Sequence, residues 1–234
     1  MNKWQDPTLS LGERCVLFSQ HELQNKVAED KVGSYTSPRI REYFSICTRL
    51  VNGKEIPINI SSGNWCAASV SFALKECLLP GEIAPHGFRL GVVEIVYDMQ
   101  GRNLYQPITK VRNGLYKIKV GDVIIFDRSN PNDPNTNWYR HIGRVCGIGT
   151  NDSFDCISGN SGGHWRITQH TLSQANLLGF GSYPELNINS TSVNVLTDGQ
   201  WGHLTDQQIA PTEDTGKDLE LGNFYKRYMK IFGK

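Results

Sequence analysis

The chain has 234 residues, of which 38% are hydrophobic and 20% charged, and its formal net charge is +1. That balance is globular and gives no basis for binding nucleic acid or an anionic membrane surface. No apolar run approaches the ~18 residues of a membrane span, and the start "MNKWQDPTLSLGERC" lacks the basic and apolar regions of a signal peptide. The expected product is therefore made in the cytoplasm, with no nucleic-acid partner and no membrane span.

Residues 10–27 place Leu11, Cys15, Phe18, Leu23 and Val27 on one helical face. A second, shorter helix is predicted over about 38–47, with Ser37 as N-cap and Pro38 at the first helical position. "VNGKEIPINISSG" reads as a loop. A third helix, about 64–79, follows in "GNWCAASVSFALKECLLPG", with Cys66, Val70, Ala73, Leu74, Cys77 and Leu78 at spacings of three and four. Pro80-Gly81 ends it.

Residues 91–100 fit a helix better than a strand. "YKIKVGDVIIFDR" predicts a turn at Gly121-Asp122 and a strand over 122–127, and "SNPNDPNTN" can only be a loop. "RHIGRVCGI" and "FDCISGN" predict a hairpin across "GTND". Further strands are expected at 164–168, 177–183 and 188–196. Helices first and strands afterwards give an α+β class with a mainly antiparallel sheet. The domain organisation expected is a catalytic domain over 1–196, a polar linker over 197–217 and a C-terminal amphipathic helix over 218–234.

The six cysteines form no C-x-x-C pair and no metal-finger spacing with histidine. Scattered cysteines in such a chain are mostly reduced, buried and small. Cys66 differs by its address. The first turn of a helix carries partial positive charge, which with a nearby imidazolium lowers a thiol pKa. Its unpaired backbone N–H can also stabilise an oxyanion. Cys66 is the candidate nucleophile if the chain supplies a base.

The hairpin supplies one. With Gly149 opposite Asp152, His141 falls opposite Asn160 on one sheet face. Alternation adds Gly143, Val145, Phe154, Cys156 and Ser158 to that face, most of them small enough to receive the cysteine helix. An Asn beside a His can fix its tautomer and leave the other ring nitrogen for a thiol. His164 is an alternative third member lying beyond the predicted pairing. Trp65, Trp138 and Ser158 flank the expected cleft as candidate substrate contacts, although a Trp also serves as plain packing. Cys146 and Cys156 fall on opposite hairpin faces, which argues against a disulfide.

Five segments occur in a telling order: "TSPRIREYF", "NWCAASVSFAL", "VGDVIIFDR", "RHIGRVCGI" and "ISGNSG". Over about residues 10–183 the chain resembles the CHAP and NlpC-type cysteine peptidases and amidases, papain-like enzymes that cut peptidoglycan. It is most similar to a branch found in phage lysins. Ser69 stands where that motif has an aromatic residue, and Phe72 is the candidate to fill the space.

The resemblance implies a papain-like fold with Cys66 as nucleophile, His141 as base and Asn160 as the orienting third member, working without metal or cofactor. It implies bacterial peptidoglycan as substrate, cut at an amidase or an endopeptidase bond. The protein would act on the bacterial cell wall, as a phage endolysin or a virion-associated lysin, with the C-terminal helix contacting virion or tail proteins. Two other classes fit the same residues. One is a virion structural protein that keeps the fold with little activity; the other is a delivered bacterial amidase toxin.

Overall fold

Ser10 starts the first helix because its chemistry satisfies the exposed end. Its hydroxyl accepts from the Glu13 N–H at 3.3 Å while the Glu13 carboxylate accepts from the Ser10 N–H at 2.9 Å, a reciprocal cap. The computed structural model describes residues 2–51, 54–129, 132 and 140–183, and there the helix, α1, spans Leu11–Gln24. Ser37 caps α2, Pro38–Ser45, by accepting from the Ile40 N–H at 3.3 Å. The third helix, α3, spans Cys66–Cys77. It is buried on every side from Cys66 to Leu74, as a helix enclosed by other elements must be. The fourth, α4, spans Val92–Gly101.

The chain divides into two units, Met1–Arg49 with Pro57–Leu186, and Leu50–Ile56 with Asn187–Lys234. Of the second unit the structure describes only part of a small hairpin, β1 (Thr48–Val51) and β2 (Lys54–Pro57). That hairpin corrects the loop expected over this stretch. The strand expected at 188–196, the linker and the C-terminal helix lie outside the described residues.

In the first unit, Tyr105–Pro107 forms β3 and Ile108–Arg112 a short helix, α5. The remaining strands are β4 (Val123–Asp127), β5 (Arg140–Ile148), β6 (Ser153–Ser158), β7 (Arg166–Thr171) and β8 (Leu177–Gly181). They make one six-stranded antiparallel sheet in the order β3-β8-β4-β5-β6-β7. The protein is thus an α+β fold, its N-terminal helices packed on an antiparallel sheet. Among the described residues no helix is long and apolar enough to cross a membrane.

Each sheet face has its own packing. One carries an apolar cluster in which Ile124, Phe126, Val145, Phe154, Cys156, Leu177 and Phe180 meet Ile108 and Val111. The other faces α1 and α3, where the buried Arg144 guanidinium lies near the thiols of Cys15 and Cys77. This corrects one expectation: Val145, Phe154 and Cys156 share their face with α5, as do Gly143 and His141 by their pairing with Ile124 and Phe126, and α3 packs on the opposite face.

An aromatic wall joins the helices beneath the start of α3. Tyr43 stacks within 5.1 Å of Phe72 and 6.0 Å of Trp65, and Trp65 stands 6.2 Å from Trp165. Glu22, buried in the last turn of α1, takes two hydrogen bonds from Arg39 and one from the Tyr43 hydroxyl. Such a carboxylate is tolerable in a core only because it is paired.

Candidate active site

The site forms where α3 begins and the β5–β6 ladder ends. Backbone groups along an antiparallel strand point alternately to its two neighbours. The Val145 N–H bonds Asp122 O on the β4 side, so the Ile142 N–H points to the β6 side. There the ladder has stopped, because β6 ends at Ser158. Gly159 instead approaches α3 so closely that a Cβ on it would stand 2.4 Å from the Trp65 ring and 2.7 Å from Ser69 Oγ. The Ile142 N–H that the missing pair leaves lies close enough to the Cys66 thiol to favour its thiolate, as do the N–H groups of Ala67 and Cys66. The sulfur therefore lies one residue from His141.

The hairpin register reaches this point by two offsets that cancel. Gly149 closes on Ser153 rather than on Asp152, one residue later than expected. A bulge between Val145 and Gly147 then absorbs that residue, so Val145 faces Cys156 and Arg144 faces Ile157. The pairing next to the site is the one the sequence predicts.

His141 is 3% exposed. Its ring packs against Phe126, centroids 6.1 Å apart, and its Nε2 lies 3.4 Å from Ser161 Oγ. Ser161 Oγ in turn lies 2.8 Å from Ser158 Oγ. The imidazole thus meets a serine pair, of which the sequence pattern singled out Ser158 as a substrate contact and did not single out Ser161.

Asn160 does not extend the ladder. It adopts a left-handed backbone, φ 59°, which breaks the alternation that would hold it beside His141, and its amide donates to Asn64 Oδ1 at 3.4 Å. The side chain is thereby tied to the segment leading into Cys66. His164 turns away as well, its Nε2 accepting from Arg166 Nε.

The candidate substrate contacts divide. Trp65 has no exposed surface and donates from Nε1 to Glu29 Oε1 at 3.2 Å, so of its two expected roles it fills the packing one. Ser158 is likewise buried, behind Ser161. Trp138 lies outside the described residues. Ser69 donates to Cys66 O at 2.8 Å, and its small size admits Gly159. Phe72 packs 5.9 Å from Phe18 and beside Tyr43.

Desolvation sets the resting protonation. Burial pushes the Cys66 thiol up, against the lowering by the Ile142 and Ala67 N–H groups and by Arg128. Burial, aided by Arg128 and His170, pushes His141 down to about 3. At rest the thiol and the imidazole are therefore both neutral. That differs from the lowered thiol pKa expected at a helix start, because both groups are almost out of water and neither charge is hydrated. The other sulfur cluster, Cys15 and Cys77 between α1 and α3, is fully enclosed, and all six cysteines are free.

His86 shares this behaviour. It is fully buried, with Nδ1 2.7 Å from Gly87 O and Nε2 2.7 Å from the Tyr183 hydroxyl, and burial holds it down at about 4. An unfolded histidine takes up its proton near pH ~6.5. Between that pH and about 4 the unfolded chain binds a proton that the folded chain refuses, so stability falls as pH falls. The slope is ~1.4 kcal/mol per pH unit for each such histidine. Asp122, raised to about 6 mainly by burial, acts in the opposite sense, its contribution being lost as pH rises. Glu94, also raised by burial, acts as Asp122 does. In urea unfolding at pH 6.5, 5.5 and 4.5, His86→Gln should flatten the dependence by ~1.4 kcal/mol per unit. Parallel curves for the two proteins would show that His86 is protonated in the fold.

Comparisons with protein-family models, with curated proteins and with solved structures returned no match.

Proposed function

We propose that the protein is a papain-like cysteine hydrolase of the CHAP/NlpC kind that cleaves an amide bond in bacterial peptidoglycan. The observation that carries this reading is the convergence of a helix-heading thiol, Cys66, on the backbone next to the buried imidazole of His141. The ordered motifs around both residues support the same reading.

In this mechanism the Cys66 sulfur attacks the scissile carbonyl as its proton passes to His141. Backbone N–H groups at the head of α3 hold the oxyanion. His141 then protonates the leaving amine, and water releases the acyl group. Because the resting pair is neutral, proton transfer accompanies attack rather than preceding it, and a neutral imidazole at pH 7 is the form a general base needs. The protein would act on the cell wall as a phage endolysin or a lysin carried in the virion, the C-terminal segment serving assembly.

Purified peptidoglycan incubated with the protein should release fragments whose masses name the bond, sugar-to-peptide for an amidase or within the peptide for an endopeptidase. Activity should survive EDTA and be lost on thiol alkylation. Loss on chelation, restored by zinc, would overturn the cysteine mechanism. A second reading, a virion structural protein with little activity, is favoured by the 5% exposure of Cys66. An intact substrate after prolonged incubation, with the protein present in many copies per particle, would favour it.

A further inference from the structure

We infer that Ser161, backed by Ser158, is the positioning residue for His141, and that Asn160 instead braces the entry to the cysteine helix. The inference rests on the proposed hydrolase reading for its effect on turnover. Its structural part concerns only which group meets the imidazole.

After β6 the chain runs "GNSGGH", and four features set it in place. Asn160, Gly162 and Gly163 take positive φ, 59°, 71° and 83°, where glycine and asparagine are the least strained residues. The Ser161 N–H donates to His164 O at 3.0 Å and the Glu29 N–H to Gly163 O at 2.8 Å. Ala28 bridges His164. The left-handed step at Asn160 turns its side chain to Asn64 and leaves the next side chain, Ser161, at the imidazole.

A hydroxyl can play this part because it both donates and accepts. With its proton given to Ser158 Oγ, 2.8 Å away, Ser161 Oγ accepts from the Nε2–H of His141. Nδ1 then keeps the lone pair that a general base uses. At 3.4 Å the Nε2 contact is long, and hydrogen bonds of resting sites commonly shorten once charge develops on the base. A neutral acceptor stabilises imidazolium less than a carboxylate does. That suits a histidine whose surroundings already oppose the charged form.

The test is a long-range nitrogen–proton correlation spectrum of the full-length protein, which reads the tautomer of His141 directly, with His141→Gln to assign the signals. The wild type should show the Nε2–H form. Ser161→Ala should shift the tautomer balance, and Asn160→Gly, which removes the amide but keeps the left-handed step, should leave the ring signals in place. Turnover on peptidoglycan should fall about tenfold in Ser161→Ala through kcat, the scale of orienting rather than supplying a base. Ser161→Thr, which keeps the hydroxyl, should restore most of it. An Nδ1–H tautomer in the wild type would overturn the inference, as would ring signals that move in Asn160→Gly and not in Ser161→Ala. The spectrum needs no substrate, so a wild type that leaves peptidoglycan uncut would refute the hydrolase reading and leave the assignment of Ser161 to be decided by the tautomer.

Discussion

Cys66→Ala should yield a folded protein with no measurable hydrolysis of peptidoglycan. Removing one buried sulfur costs stability on the order of 1 kcal/mol, and the first turn of α3 is held by groups the substitution does not touch. Ser69 donates to Cys66 O, and the Ser69 N–H donates to Trp65 O. Loss of a nucleophile that works as one unit with its base reduces turnover by ~10⁴-fold or more. Cys66→Ser should fare little better, since a hydroxyl facing the Ile142 N–H is a far weaker nucleophile than sulfur. Inactivation of the wild type by iodoacetamide should track modification of Cys66. Cys146 is partly exposed but its thiol is held at about 11, so it should take up reagent only slowly, and its modification should cost no rate. Activity retained in Cys66→Ala, or inactivation that follows Cys146, would remove Cys66 from the mechanism.

Gly159→Ala should damage stability and activity together. A methyl group there would stand 2.4 Å from the Trp65 ring and 2.7 Å from Ser69 Oγ, and both side chains are fully buried. The ring cannot retreat, because it is packed between Tyr43 and Trp165 and hydrogen-bonded to Glu29. Overpacking of this kind costs about 1–3 kcal/mol, a fall of roughly 2–4 °C in Tm per kcal/mol for a domain of this size. Trp65 directly precedes Cys66, so displacement of the ring shifts the nucleophile by a similar distance. A sub-ångström change at a reacting atom is enough to slow a positioned reaction many-fold. A Tm within 1 °C of wild type, with full activity, would mean that Gly159 does not seat the helix.

The Ser10 cap emerged only in the structure, whereas the helix cap at Ser37 was legible in the chain because a cap joins groups three residues apart. So was the cysteine at the head of α3, since periodicity and Pro80-Gly81 bound that helix locally. The pairing near His141 was legible for a less direct reason. Turn and bulge each displace the register by one residue, in opposite senses, so the expected pairing survives at Arg144 and Ile157. The hairpin of β1 and β2 was missed because its strands are short and mostly exposed, with burial patterns that show no alternation toward a core.

Three features depend on tertiary contact. The face that α3 packs on is set by where α5 and β8 place their apolar residues, which no local pattern in the hairpin reports. The partner of His141 is set by one left-handed residue, because a single φ of 59° at Asn160 turns its side chain to Asn64 and puts Ser161 at the ring. The protonation of Cys66 and His141 is set by desolvation, which sums over every element around them. A helix start alone predicts a lowered thiol pKa, and enclosure among α3, β5 and the Gly159–Gly163 turn reverses it. Spacing along a chain encodes contacts between near neighbours, whereas burial and face are properties of the assembled whole.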